Sequence, residues 1–263
     1  MKSILVTFTR WILWQRVPPR EIEFKALNQE TVLLLSYSIL YIIAGYVLGL
    51  VIAYLPAPIL GATQFNQDLW YSGVFKILLL LIIPGYIYFI RWNYHVKDLT
   101  LGLKPSIKIF LATAFMVALG FFLNASHLKP LENTIDTFSD APLRLALGII
   151  VPLFTAALPE ELFFRGYLQT RLEKKWNRIS ASLVATLLFT AWHLPSRYLL
   201  STGVEGQAGD WGNVILHTGV PVFIVGFIFA LHWSRYRNII LLILTHWAVD
   251  ILPALSSYFK IPF

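Results

Sequence analysis

The chain has no cysteine among its 263 residues, and only 13% of its side chains are charged. Without cysteine there can be no disulfide framework, thiol nucleophile or thiolate ligand for a metal. A charged fraction near half of the ~25% usual in soluble domains leaves too little polar surface for a fold standing in water. Alternating apolar and polar segments of ~10 residues, the pattern of a membrane barrel, are missing as well; the apolar runs are continuous. No repeat, low-complexity stretch or long linker divides the chain. A cleavable leader is not expected either, because Arg10 and Arg16 interrupt the first apolar stretch and no small-residue cleavage site follows.

What is there is hydrophobic: 57% of residues are apolar, and mean hydropathy is +0.66. Several apolar runs reach about 20 residues, enough for a helix to cross a hydrocarbon core ~30 Å thick. The expected fold is therefore all-α, a polytopic transmembrane bundle of about seven spans. These fall near residues 31–55, 70–90, 107–124, 144–172, 179–194, 213–233 and 238–252. Pro56 and Pro58 close the first, and Pro195 is expected to stop the fifth, because the residue before a proline disfavours helix. Lys76, near the start of the second, is expected to snorkel to the interface. Residues 3–16, which mix Trp11 and Trp14 with Arg10 and Arg16, read as an amphipathic helix lying in the headgroup region.

The net charge of +7 comes from basic residues in short loops, so it signals membrane orientation rather than a nucleic-acid partner. Fifteen Lys/Arg fall in the N-terminal region and in 91–108, 171–178 and 235–237. Four fall in the alternate segments 56–69, 127–144, 196–212 and the tail. This bias places the N-terminus in the cytoplasm and, with seven spans, the C-terminus outside.

Against that background, Pro159-Glu160-Glu161-Leu162-Phe163-Phe164-Arg165 is anomalous, because ionisable groups inside a span are costly. The other such groups are His193, His246 and Asp250. At 1.5 Å rise per residue, Glu160 lies ~18 Å above the cytoplasmic end of its helix, His193 ~22 Å, His246 ~12 Å and Asp250 ~18 Å. Three helices thus carry polar groups to similar depth, which scattered structural residues would not do.

Helical spacing divides the roles. Glu161 and Arg165 are i,i+4 and expected to pair. Glu160 points about 100° away and is left to face a cavity, with Ala156 and Ala157 making room beside it. His246 and Asp250 share a face, as do Phe189 and His193, so Phe189 is placed to pack on that imidazole. Trp192 and Trp247 read as packing. His95, His127, His217 and His232 read as interfacial or solvated.

A carboxylate and an imidazole in a low-dielectric pocket can hold a water and take its proton as it attacks a carbonyl. His246 and Asp250 could then stabilise the oxyanion, provided one presents a donor. The same four groups could instead hold a divalent metal such as zinc.

The three motifs resemble those of the CPBP family of intramembrane proteases, the CAAX-protease and bacteriocin-processing or immunity family also called the abortive-infection family. Its EExxxR, FxxxH and HxxxN/D patterns stand here as Glu160-Glu161…Arg165, Phe189…His193 and His246…Asp250. The likeness covers about residues 144–254; residues 1–140 carry no assignable motif, and 255–263 form a tail. The resemblance implies a membrane endopeptidase in a prokaryotic inner membrane, with the bilayer and a membrane-associated peptide or protein as partners. It assigns water activation to Glu160 and His193, the oxyanion or metal site to His246 and Asp250, and support to Glu161 and Arg165. Asparagine is more usual at position 250, and ionised aspartate cannot donate a hydrogen bond to an oxyanion. The absence of His-Glu-x-x-His leans the reading toward water activation without an obligatory metal. Gly-x-Ser-Gly and Gly-x-Gly-Asp, motifs of other intramembrane proteases, are also absent. The competing readings are a non-catalytic immunity or scaffold protein and a proton-coupled transporter that uses the buried carboxylates as a relay.

Overall fold

The computed structural model describes residues 24–54, 71, 73, 75–99, 107–132, 135, 138–200 and 207–259. The expected amphipathic helix at 3–16 lies outside them. Among the described residues the protein is all-helical, with seven principal helices: α1 (Leu27–Tyr54), α2 (Ile77–Arg91), α3 (Ile107–Leu123), α4 (Ala141–Lys175), α5 (Arg178–Leu200), α6 (Trp211–Tyr236) and α7 (Ile239–Tyr258). Five of them, α1 and α4 to α7, are long and apolar enough to span a bilayer; α2 and α3 are shorter apolar helices. The protein is an integral membrane protein.

Local chemistry sets the helix ends. Asn238 caps α7 by accepting a hydrogen bond from the Leu241 amide (3.0 Å), and Asp210 caps α6 through Asn213 in the same way. Arg237, at φ 52°, closes α6 with a left-handed turn. Pro195 behaves differently from expectation. Helix α5 continues through Pro195 to Leu200, and α7 continues through Pro253 to Tyr258. Proline removes one N–H and strains one turn, but neighbouring groups re-satisfy the backbone inside a bundle. Close by, the Ser196 hydroxyl adds a bond to the His193 carbonyl at 3.1 Å.

Helix α4 is the organising element. It departs from α geometry over Leu153–Ala157 and again over Glu161–Gln169, where i→i+5 hydrogen bonds widen the turns. Such wide turns are rare and concentrate at functional sites. Because more residues share each turn, successive side chains rotate by less than the 100° of an ideal helix. The second half of α4 is buried almost completely, from Phe163 and Phe164 through Tyr167, Leu168 and Leu172. Helices α1, α5, α6 and α7 cover it.

At the end of the bundle where α4 finishes, a dense polar network ties helices together. Arg171 donates to Glu30 of α1 (2.7 Å), whose carboxylate also accepts from the Tyr94 hydroxyl (2.9 Å). Burial, with the neighbouring Glu30 charge adding to it, lifts the Tyr94 phenol above its ordinary range, so it remains a donor there. Glu173 accepts from Gln169 (2.8 Å), Ser234 and Arg237, joining α4 to α6.

The histidines outside the motifs divide two and two. His95 and His217 are exposed. His127 and His232 are buried, at 6% and 5% exposure, against the interfacial or solvated placement expected for a loop and a helix end. The α3–α4 connection folds His127 back against the bundle, and packing against the Tyr236 ring covers His232.

Candidate functional site

The four motif residues expected to act together come from three helices and meet mid-bundle. Glu160 stands on α4 between its two stretches of wide turns, and both it and Glu161 are fully buried. Glu160 Oε2 lies 3.8 Å from His193 Nε2 of α5 and 3.7 Å from His246 Nε2 of α7. His246 Nε2 is 3.2 Å from Asp250 Oδ2 one turn further on.

Hydrogen bonds settle how both imidazoles are presented. His193 Nδ1 is 2.7 Å from the Phe189 carbonyl oxygen, which can only accept, so the proton is on Nδ1. In the neutral ring, Nε2 then carries a lone pair toward Glu160. The Phe189 ring packs beside the imidazole at a centroid distance of 4.7 Å, as the i,i+4 spacing suggests. His246 Nδ1 is 2.7 Å from Glu161 Oε1, so it donates to that carboxylate while its other nitrogen faces Asp250 and Glu160.

Of two expectations about α4, one holds in looser form and one needs correction. The Glu161–Arg165 pair exists, with Nε and Oε2 3.6 Å apart, but Glu161's short hydrogen bond goes to His246. Arg165 is held elsewhere: it donates to the Gly226 carbonyl (3.1 Å) and stacks on the Phe189 ring, 4.4 Å from its centroid. The wide turns of α4 replace the geometry on which the i,i+4 argument rests. Gly226 makes this arrangement possible, since a Cβ there would stand 2.9 Å from Phe189 Cδ1.

Glu160, in turn, is not free. Its Oε1 accepts from Lys76 Nζ at 2.7 Å, an ion pair between α2 and α4 with side-chain exposures of 11% and 1%. Lys76 therefore points inward instead of snorkelling, because a buried carboxylate offers it a partner that no sequence window displays. Its ammonium also lies 4.8 Å from the centroid of the Trp192 ring. Trp192 packs with Tyr41, Tyr71 and Phe75 as expected of a core residue, and Trp247 donates to the Ile149 carbonyl.

Glu160 Oε2 and Glu161 Oε2 have no hydrogen-bond partner among the described residues, although both are buried. Buried acceptors are nearly always satisfied, and exceptions concentrate where chemistry is done. A cavity of about 130 Å³ adjoins the cluster. His193, His246 and Asp250 form its floor, and its walls come from Asn124 and His127 after α3, Arg197 of α5, and His217 and Thr218 of α6. Ala156 and Ala157 do not line it, so the open space lies on the imidazole side of Glu160 rather than beside those alanines. Among the described residues no group of three His, Asp or Glu side chains is arranged to hold a metal ion.

Comparison with known proteins adds one positive finding. Residues 142–252 match the family described as type II CAAX prenyl endopeptidase Rce1-like. No curated protein and no solved structure matches the chain. The matched stretch contains all three motifs and excludes Lys76.

Proposed function

We propose, from the match of residues 142–252 to the Rce1-like family together with the geometry of the site, that this protein is an intramembrane endopeptidase of CAAX type, acting on a membrane-associated peptide or protein. The observation that carries the reading is the unsatisfied Glu160 Oε2, buried and within 4 Å of both His193 Nε2 and His246 Nε2. A water entering from the cavity would donate one hydrogen bond to Glu160 Oε2 and the other to His193 Nε2. As its oxygen attacks the scissile carbonyl, Glu160 takes the proton and later returns it to the departing amine. Peptide and water are thereby converted to a carboxylic acid and an amine. The Phe189 carbonyl keeps the His193 lone pair aimed at that water.

His246 faces carboxylates at both nitrogens, which suits a doubly protonated ring held by Glu161 and Asp250. Its Nε2–H is then the donor for the oxyanion, and Asp250 orients that donor rather than contacting the oxyanion itself. This assignment accommodates aspartate at position 250. The reading needs no divalent metal, which would have to displace Asp250 from His246 Nε2 and share with Lys76 the Glu160 carboxylate. The reading is accordingly a glutamate-type hydrolysis in which activity survives chelation.

For location, the family resemblance suggests a prokaryotic inner membrane, and the Lys/Arg bias supports an N-terminus in the cytoplasm and a C-terminus outside. The test is a proteomic comparison of membranes carrying wild-type, Glu160→Gln or His193→Ala protein. One terminally trimmed species should appear with the wild type and disappear with both variants, whose helical content stays unchanged. Full trimming by both folded variants overturns the mechanism.

A further inference from the structure

We infer that Lys76 is a positioning residue for Glu160, supplied by the half of the chain that carries no motif. Its ammonium makes the 2.7 Å bond to Glu160 Oε1, and both side chains are withdrawn from solvent. One carboxylate oxygen being tied, the carboxylate plane is set and Oε2 is turned toward the two imidazoles. The lysine also supplies the buried countercharge that a carboxylate needs at this depth. Its position is itself fixed, since it sits over the Trp192 indole, whose ring is 5.1 Å from that of His193. Lys76 thus couples the two groups proposed to share the water, while lying outside the 142–252 match.

This inference rests on the water-activating role of Glu160, and its test is separable from the test of that role. Lys76→Met should lower kcat by ~10²-fold per folded molecule, the scale of a misplaced general base, with KM within about twofold. Lys76→Arg keeps the charge but moves it, and should show a smaller fall in kcat, about tenfold, with KM again unchanged. It also serves if Lys76→Met does not fold. A lysine acting only in folding would lower the yield of folded protein and leave kcat per folded molecule intact. Wild-type kcat in folded Lys76→Met or folded Lys76→Arg overturns the inference; loss of activity in Glu160→Gln alone does not support it.

A second, independent observation concerns the side from which substrate arrives. The cavity walls carry Asn124 and His127 after α3, Arg197 near the end of α5, His217 near the start of α6 and Pro253 near the end of α7. All of these lie toward one end of the bundle. The opposite end holds Arg171, Lys174, Lys175, Arg178, Arg235 and Arg237, the cation-rich side that the positive-inside rule places in the cytoplasm. We propose that the cavity opens away from the cytoplasm, so that the peptide cleaved is one presented on the outer side of the membrane. This too deepens the endopeptidase reading, but its test does not depend on activity. A cysteine-free chain allows single-cysteine labelling of the intact protein with a membrane-impermeant maleimide. His217→Cys should label in right-side-out cells, and Lys174→Cys, at the opposite end, only in inverted vesicles. Trp211→Cys, exposed at the same end as His217, replaces it if that variant folds poorly. Labelling of His217→Cys or Trp211→Cys only in inverted vesicles overturns the proposal.

Discussion

Helix α4 carries two clusters of buried charge little more than two turns apart, and they are built on opposite principles. Around Arg171 and Glu173, every carboxylate oxygen is bonded. Glu30 Oε1 accepts from Tyr94 and the Ala26 amide, and its Oε2 accepts from Arg171 and Tyr94. Glu173 Oε1 takes Gln169 and Ser234, and its Oε2 takes Arg237. Aromatic rings of Phe24, Tyr88, Trp92 and Tyr94 surround the Arg171 guanidinium. Around Glu160 and Glu161, each acid has one bonded oxygen and one open one, and a cavity lies alongside. Carboxylates bonded at both oxygens hold one arrangement and leave no free carboxylate oxygen to react, although Arg171 Nη2 and Gln169 Oε1 in the same cluster have no hydrogen-bond partner among the described residues. Incomplete bonding among fixed partners leaves an oxygen poised for a proton. Burial and charge are the same in both clusters, so it is the state of bonding that separates the structural network from the reactive site.

The largest effect should come from breaking the saturated cluster at one partner. Arg171→Met strands Glu30 in the interior and should destabilise the protein by about 3–5 kcal/mol, read as a lower melting temperature in detergent. Removing both charges, Glu30→Gln with Arg171→Met, should recover most of that loss, because a neutral pair needs no countercharge. The contrasting double variant, Glu160→Gln with Lys76→Met, should also recover stability relative to its singles. The clusters then part: the first double keeps kcat per folded molecule, and the second abolishes turnover. If the first double is equally inactive, the distinction between holding and reacting clusters fails.

A middle-sized effect should link packing to chemistry. Gly226→Ala would drive a Cβ to 2.9 Å from Phe189 Cδ1. The ring cannot yield freely, because it separates Arg165 from His193. Overpacking of this kind costs about 1–3 kcal/mol. Displacing Phe189 should also misdirect the His193 lone pair, so kcat should fall with KM little changed. A stability loss with wild-type kcat would show that Phe189 packs beside the imidazole without positioning it.

How much of this was legible without coordinates follows from the same contrast. Apolar run length predicts all seven helices, because span length is set by the bilayer and not by tertiary partners. The rise per residue predicts that Glu160, His193, His246 and Asp250 lie near one depth, and the helices do bring them together. Lys76 was not legible: it stands in an apolar run, 84 residues from Glu160, and only that distant partner distinguishes a buried lysine from a snorkelling one. The wide turns over Glu161–Gln169 were equally hidden, and they explain why the Glu161–Arg165 spacing gave a looser pair than an ideal helix would. Pro195 misled in the other direction, since a local breaker signal yields when neighbouring helices hold the segment in place.

The smallest effect extends the comparison to the other end of α4, where an ion pair faces water. Arg144 Nε donates to Asp140 Oδ1 at 2.8 Å, and its other arm donates to the Tyr258 carbonyl at 2.6 Å. Asp140 is partly exposed and precedes the span, so solvent and salt screen the pair. The Arg144 hydrogen bond, with its charge, holds the Asp140 carboxyl below the usual carboxylate range. A depressed native pKa contributes stability that is present above the unfolded value, near pH ~4, and disappears as pH falls through the native one. Melting temperature should therefore drop slightly between pH ~5 and ~2.5 in the wild type, and Asp140→Asn should lack that component while remaining marginally less stable at neutral pH. Added salt should narrow the neutral-pH gap at Asp140 and leave the Arg171→Met loss almost untouched, because screening reaches an exposed pair and not a buried one. Equal salt sensitivity of the two losses would mean that the Arg171 cluster is wetter than its bonding indicates.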